Sequence, residues 1–157
     1  MRKASVLGAG SFGTAVATVL TANFDEVVLH GRDAAQAASI NATHENTQYL
    51  PGLKLPPHLR ATTELSDALK NTELVVIGIP SQATREFMKL AAPHIPPGVP
   101  IVTVAKGIEN ETLATMTEVL EQCLPEALHS QIAVLSGPSF AKEMVLKMPT
   151  VVTLAAK

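Results

Sequence analysis

The stretch that most restricts the fold lies at the start of the chain. An apolar pentad, Lys3 to Leu7, runs into Gly8-Ala9-Gly10-Ser11-Phe12-Gly13, and from Ser11 to Ala22 apolar and small residues recur at helical spacing. That order predicts strand, tight turn and helix. The three glycines then serve different ends, since Gly8 permits the turn, Gly10 lets the backbone approach a ligand, and Gly13 lets helix and strand pack closely. The N–H groups around Ser11 and Phe12 open the helix without intrahelical acceptors, and the helix dipole adds partial positive charge there. A pyrophosphate suits such a site. The alternative is a glycine-rich turn with no ligand.

The same stretch imitates a secretory signal, with Arg2 and Lys3 ahead of an apolar run and Ala15-Val16-Ala17 at the place of a cleavage site. The glycines interrupt that run where a signal needs continuity, so this reading is rejected. Further along, Glu26–Leu29 reads as a second buried strand, and Asp33 as the cap of a helix running toward His44. Pro51, Pro56, Pro57 and Gly52 make residues 49–59 a loop. Strands are expected at 60–63, 74–79, 101–104, 132–135 and 150–154, and helices at 65–70, 81–92 and 111–124. Apolar strands alternating with helices, instead of period-2 strands, indicate a doubly wound α/β fold of Rossmann type: a mostly parallel sheet with helices on both faces. With 157 residues, 46% hydrophobic and 17% charged, the chain makes one packed domain. The net charge of −2, with basic residues scattered, gives no nucleic-acid footprint, and no apolar run is long enough to span a membrane. Cys123, the single cysteine, is read as a small apolar helix residue; the absence of any internal disulfide pair suits the cytoplasm.

Ligands of open α/β sheets bind beyond the carboxyl ends of the strands. After the second strand stands His30-Gly31-Arg32-Asp33. An acidic residue there would hold the ribose 2′-hydroxyl of NAD, whereas Arg32 can pair with a 2′-phosphate and Asp33 is explained as a cap. NADP is therefore favoured over NAD, with a solvated surface charge as the bland reading of Arg32. Ile79-Pro80-Ser81, Ala105-Lys106-Gly107 and the segment from Ser136 to Glu143 end three further strands and would line one crevice. Lys106 there could meet a phosphate or a developing alkoxide, or be an ordinary surface lysine. Ser139, behind Pro138, is expected either to bind an anion or to cap a helix, and Ser81 to cap its own helix. The five histidines show no metal-ligand spacing, and no G-x-S-x-G elbow supports serine chemistry.

Taken together, G-A-G-S-F-G-T-A, H-G-R-D, I-P-S, A-K-G-I-E and S-G-P-S-F-A-K-E resemble bacterial NAD(P)-dependent glycerol-3-phosphate dehydrogenase over essentially all 157 residues. The resemblance implies reversible reduction of dihydroxyacetone phosphate to sn-glycerol 3-phosphate, the precursor of phospholipid backbones. It implies that Gly8, Gly10, Ser11, Phe12, Gly13, Arg32, Tyr49, Lys106 and Ala141 bind the dinucleotide. Lys106, Gly137 and Ser139 would hold the substrate, Ser139 standing where many relatives have Thr. Members of the family continue into a helical C-terminal domain that supplies the general acid or base lysine, and the full-length enzyme leaves room for a homodimer. Residues 1–157 are thus expected to be the dinucleotide-binding fragment, inactive alone and without a catalytic residue of its own. Two other readings remain: a β-hydroxyacid or ketopantoate-type reductase domain, and a stand-alone dinucleotide-binding module.

Overall fold

The computed structural model describes residues 1–156; Lys157, the expected end of the domain, lies outside the described residues. Seven strands form one sheet: β1 (Lys3–Leu7), β2 (Glu26–His30), β3 (Leu59–Thr62), β4 (Leu74–Ile77), β5 (Ile101–Thr103), β6 (Ile132–Ser136) and β7 (Thr153–Ala156). Their spatial order is β3-β2-β1-β4-β5-β6-β7, parallel except for β7, which runs antiparallel to β6. The chain winds outward from β1 in one direction and resumes at β4 in the other. The crevice of such a fold opens where that reversal occurs, beyond the ends of β1 and β4.

Helices α1 (Ser11–Leu20), α2 (Ala34–Thr43), α3 (Leu65–Leu69), α4 (Ser81–Ala91), α5 (Met116–Cys123) and α6 (Ala141–Val145) cover the sheet. Two cores result. Val6, Val27, Leu29 and Leu59 pack with Val16, Ala17 and Ile40 of α1 and α2, while Leu7, Val75, Ile77 and Ile101 pack with Met88 and Leu120 of α4 and α5. Alternate residues of β1 thus feed opposite faces, and both faces are buried, so even the polar Lys3 and Ser5 lie inside the fold. The buried polar members of β1 are satisfied: Lys3 donates to the carbonyls of Asp67 and Lys70, and Ser5 to that of Ala68. Burial lowers the Lys3 pKa all the same.

Several expected boundaries move for identifiable reasons. The helix expected at 111–124 begins only at Met116, where Thr115 and Glu118 form a reciprocal capping box. Ahead of it the chain makes a closed turn, with Leu113 at φ 57° and a bridge between Ile108 and Thr115. Asp33 caps α2 as expected, accepting from the N–H groups of Ala35 and Gln36 at 2.8 and 3.2 Å. Ser81 does not cap α4; it is the first helical residue, behind Pro80. The last strand starts at Thr153 instead of Thr150, and its residues are exposed.

Candidate cofactor site

The turn after β1 is held by its neighbours on both sides. The Gly8 N–H donates to the His30 carbonyl at 2.9 Å, and the Gly78 N–H to the Leu7 carbonyl at 2.7 Å. Gly8 adopts φ +119°, and a Cβ on it would lie 2.5 Å from the Gly78 oxygen. A Cβ on Gly13 would fall 1.9 Å from the Gly8 oxygen, so helix and turn meet with no room for a side chain. Gly10 differs from both: a Cβ there meets nothing within 4 Å. The space over Gly10 is open, and the N–H groups of the first turn of α1 border it with no side-chain cap and no acidic residue. That cradle fits a dinucleotide pyrophosphate.

Across from the turn, a cleft of about 370 Å³ brings Gly10, Ser11, Phe12 and Gly13 together with Lys106 and Ser139. Lys106, just past β5, extends its ammonium to the Gly137 carbonyl at 3.1 Å. The Ser139 hydroxyl donates to the same oxygen at 3.4 Å, and α6 is entered through Phe140, so Ser139 is not a helix cap. Lys106, Gly137 and Ser139 form one corner. Phe12 lines the cleft, and its partly buried side chain packs against the first core.

The remaining candidates stand around this cleft, outside its lining. The Tyr49 carbonyl accepts from the Ser11 hydroxyl at 3.3 Å, which ties the proline-rich loop to the glycine turn. Ala141 opens α6, which packs against α1. Arg32, beyond the end of β2, is exposed and has no ion-pair or hydrogen-bond partner among the described residues. Beside it His30 is buried. One ring nitrogen lies 3.1 Å from the Thr63 carbonyl, which can only accept, so that nitrogen carries the hydrogen. Burial pushes the His30 pKa down, and the neutral ring leaves Arg32 to supply the charge at this strand end.

One residue that sequence reasoning missed organises the turn. Asn46 is fully buried and donates to the Ala9 carbonyl at 3.0 Å and to the Thr14 hydroxyl at 2.8 Å. Gln36 of α2 reaches the same carbonyl at 2.9 Å and donates to the Asn46 side-chain oxygen at 3.1 Å. Turn, α1, α2 and the loop after α2 are thereby joined by two amides. No group of three or more His, Cys, Asp or Glu able to hold a metal occurs among the described residues, and none of the described helices is long and apolar enough to cross a membrane.

The chain matches the family described as NAD-dependent glycerol-3-phosphate dehydrogenase N-terminus over residues 3–157. It is 56% identical over 154 residues to a glycerol-3-phosphate dehydrogenase [NAD(P)+] of Myxococcus xanthus, covering 98% of this chain and 46% of that protein. A glycerol-3-phosphate dehydrogenase [NAD(P)+] of Bacillus subtilis is 41% identical over 157 residues, covering 100% of this chain and 46% of that protein. The crystal structure of glycerol-3-phosphate dehydrogenase from Coxiella burnetii superposes with a TM-score of 0.86 at 32% identity, over 98% of this chain and 46% of that one. The chain thus spans about half the length of the relatives it matches. The match over residues 3–157, the relatives above 30% identity and the shared fold show that the chain belongs to the family of NAD-dependent glycerol-3-phosphate dehydrogenase N-terminal domains.

Proposed function

We propose that this chain is the cofactor-binding half of an enzyme that reduces dihydroxyacetone phosphate reversibly to sn-glycerol 3-phosphate, for phospholipid synthesis in the cytoplasm. The observation that carries the reading is the facing of two anion-binding elements across one cleft. On one side lies the uncapped N-terminus of α1, on the other the Lys106 ammonium. Gly8, Gly10 and Gly13 shape the turn, and the N–H groups near Ser11 and Phe12 hold the pyrophosphate. Arg32 takes the ribose 2′-phosphate, which favours NADPH over NADH. Tyr49 and Ala141 flank the dinucleotide.

A bound nicotinamide supplies the hydride. Lys106 spends one of its three donors on the Gly137 carbonyl. The others are directed to the nicotinamide end of the cofactor and to the substrate, where the ammonium stabilises negative charge developing on the carbonyl oxygen. Ser139 and Gly137 orient the triose phosphate. Proton transfer and closure against water come from a second unit, as the length of the relatives suggests, so this chain alone binds cofactor and does not turn over. In the full-length enzyme that unit also leaves room for a homodimer.

The test is a fluorescence titration of NADPH and NADH against the chain and its Gly10→Val variant. Valine fills the open space over Gly10, so affinity should fall by at least roughly 100-fold, the scale set by excluding the pyrophosphate from its N–H groups. The fold should survive, since a Cβ at Gly10 meets no atom within 4 Å. Unchanged NADPH affinity in a folded Gly10→Val protein would show that the turn is only structural.

A further inference from the structure

The A-K-G-I-E segment carries a glutamate for which the proposed chemistry has no use. Glu109 is largely buried, with its side chain 11% exposed, and faces Arg85 of α4, whose side chain is 22% exposed. The guanidinium grips the carboxylate with two donors of one edge: Nε to Oε1 at 2.9 Å and Nη2 to Oε2 at 2.8 Å. The same Nη2 reaches Gln122 of α5 at 2.7 Å, and the Thr112 hydroxyl donates to Glu109 from within the turn. One helix turn earlier on α4, the Gln82 amide donates to the Ile108 carbonyl at 2.9 Å and accepts from the Asn110 N–H at 3.0 Å. Both residues next to Glu109 are thereby fixed to α4. On the near side, Gly107 at φ +135° lies so close to Ser81 that a Cβ on it would be 2.9 Å from the hydroxyl.

Lys106 stands next to this pinned segment. Among the described residues its ammonium makes one hydrogen bond, to the Gly137 carbonyl, and the residue is exposed. Where the ammonium can reach is therefore set by the backbone that carries it. Neither Arg85 nor Glu109 lines the cleft. We infer that the Arg85–Glu109 pair is a positioning device: by pinning the turn after β5 onto α4, it aims Lys106 across the cleft at the nicotinamide end of the dinucleotide. A forked guanidinium suits this role because two parallel bonds fix orientation as well as distance, which a lysine could not do. Arg85, joined by Thr112, holds the Glu109 carboxyl down at about 2, so the pair stays charged throughout the neutral range. This inference rests on the role proposed for Lys106.

Calorimetry with two ligands tests it: NADPH, and 2′-phospho-ADP-ribose, which is NADP without its nicotinamide. Glu109→Gln and Arg85→Met should each weaken NADPH roughly 10-fold, the scale of losing one charge-assisted hydrogen bond to the cofactor. Binding of 2′-phospho-ADP-ribose should stay within about 2-fold, because a pair acting through Lys106 leaves the turn after β1 untouched. In a Lys106→Met background Glu109→Gln should add no further loss, since there is no ammonium left to place. If Glu109→Gln does not fold, Arg85→Lys keeps the charge without the fork and should still lose about 3-fold on NADPH alone. Equal losses on both ligands, or a full loss from Glu109→Gln on top of Lys106→Met, would overturn the inference in favour of a purely structural pair. Should Lys106→Met weaken NADPH while Glu109→Gln does not, only the inference falls. Should Lys106→Met leave NADPH unchanged, the role proposed for Lys106 falls and takes the inference with it.

Discussion

The two halves of the sheet build their parts of the cleft by opposite means. Around β1 and β2 the site is backbone: a glycine turn with Gly13 pressed against Gly8, and the fully buried amide of Asn46 behind it. Around β5 and β6 it is one flexible ammonium, carried on a turn that an ion pair ties to α4 and resting on a carbonyl of the next loop. Burial separates the halves only beyond β6. β5 is buried along its whole length, as β1 is, whereas Phe140 is 68% exposed, Val151 76% and Leu154 60%. A rigid backbone site recognises what every dinucleotide shares, its pyrophosphate. Side chains on tied loops are where substrate-specific contacts can be adjusted at little cost to the fold.

The largest effect that could break this contrast is expected at Gly13. Alanine there places a methyl 1.9 Å from a backbone oxygen, and the turn must move or α1 must lift. We expect a loss of about 3 kcal/mol, seen as a melting temperature lower by roughly 6–12 °C. A shift under about 2 °C would show that the first half is not the tightly packed one. Next comes Arg32, where the contrast can be sharpened, because this one exposed side chain is asked to add cofactor choice to a site made of backbone. Arg32→Asp exchanges a charge-assisted contact for repulsion and should weaken NADPH roughly 10- to 100-fold while sparing NADH. Equal affinities before and after, in parallel titrations, would return Arg32 to the solvated surface. The smallest effect is expected at Leu154→Ser on β7, about 0.5 kcal/mol by chemical denaturation, as for a side chain already facing water. A cost above about 1.5 kcal/mol would place β7 in a packed environment and erase the difference between the halves.

The parts of this molecule written in local pattern were legible in advance. The order pentad, glycines, helix at residues 3–22 specified β1, its turn and α1, and Asp33 announced the start of α2. The rule that ligands sit beyond strand ends was enough to bring Lys106 and Ser139 to the same cleft as Gly10. What escaped depends on partners far away in the chain. Asn46 looks like any polar loop residue until Ala9 and Thr14 are known to surround it. The direction of β7 is not legible in its four residues, Thr153 to Ala156, which are too few to separate a continuous apolar run from an alternating one. The start of α5 is a different kind of miss: Thr115 and Glu118 have the spacing of a capping box, a signal present in the sequence that the earlier Glu111 obscures.

The paired amides behind the turn have an effect on an atom that neither of them touches. In a trans peptide the carbonyl and the following N–H point in opposite directions, and no cis peptide occurs among the described residues. Gln36 and Asn46 draw the Ala9 oxygen inward, so the N–H of Gly10, the other end of the same rigid plane, is turned outward. The electron-rich end of that dipole, which would repel an anion, is thus hidden. Two neutral side chains from separate segments set the polarity that the turn presents to its ligand, and they do so without carrying any charge.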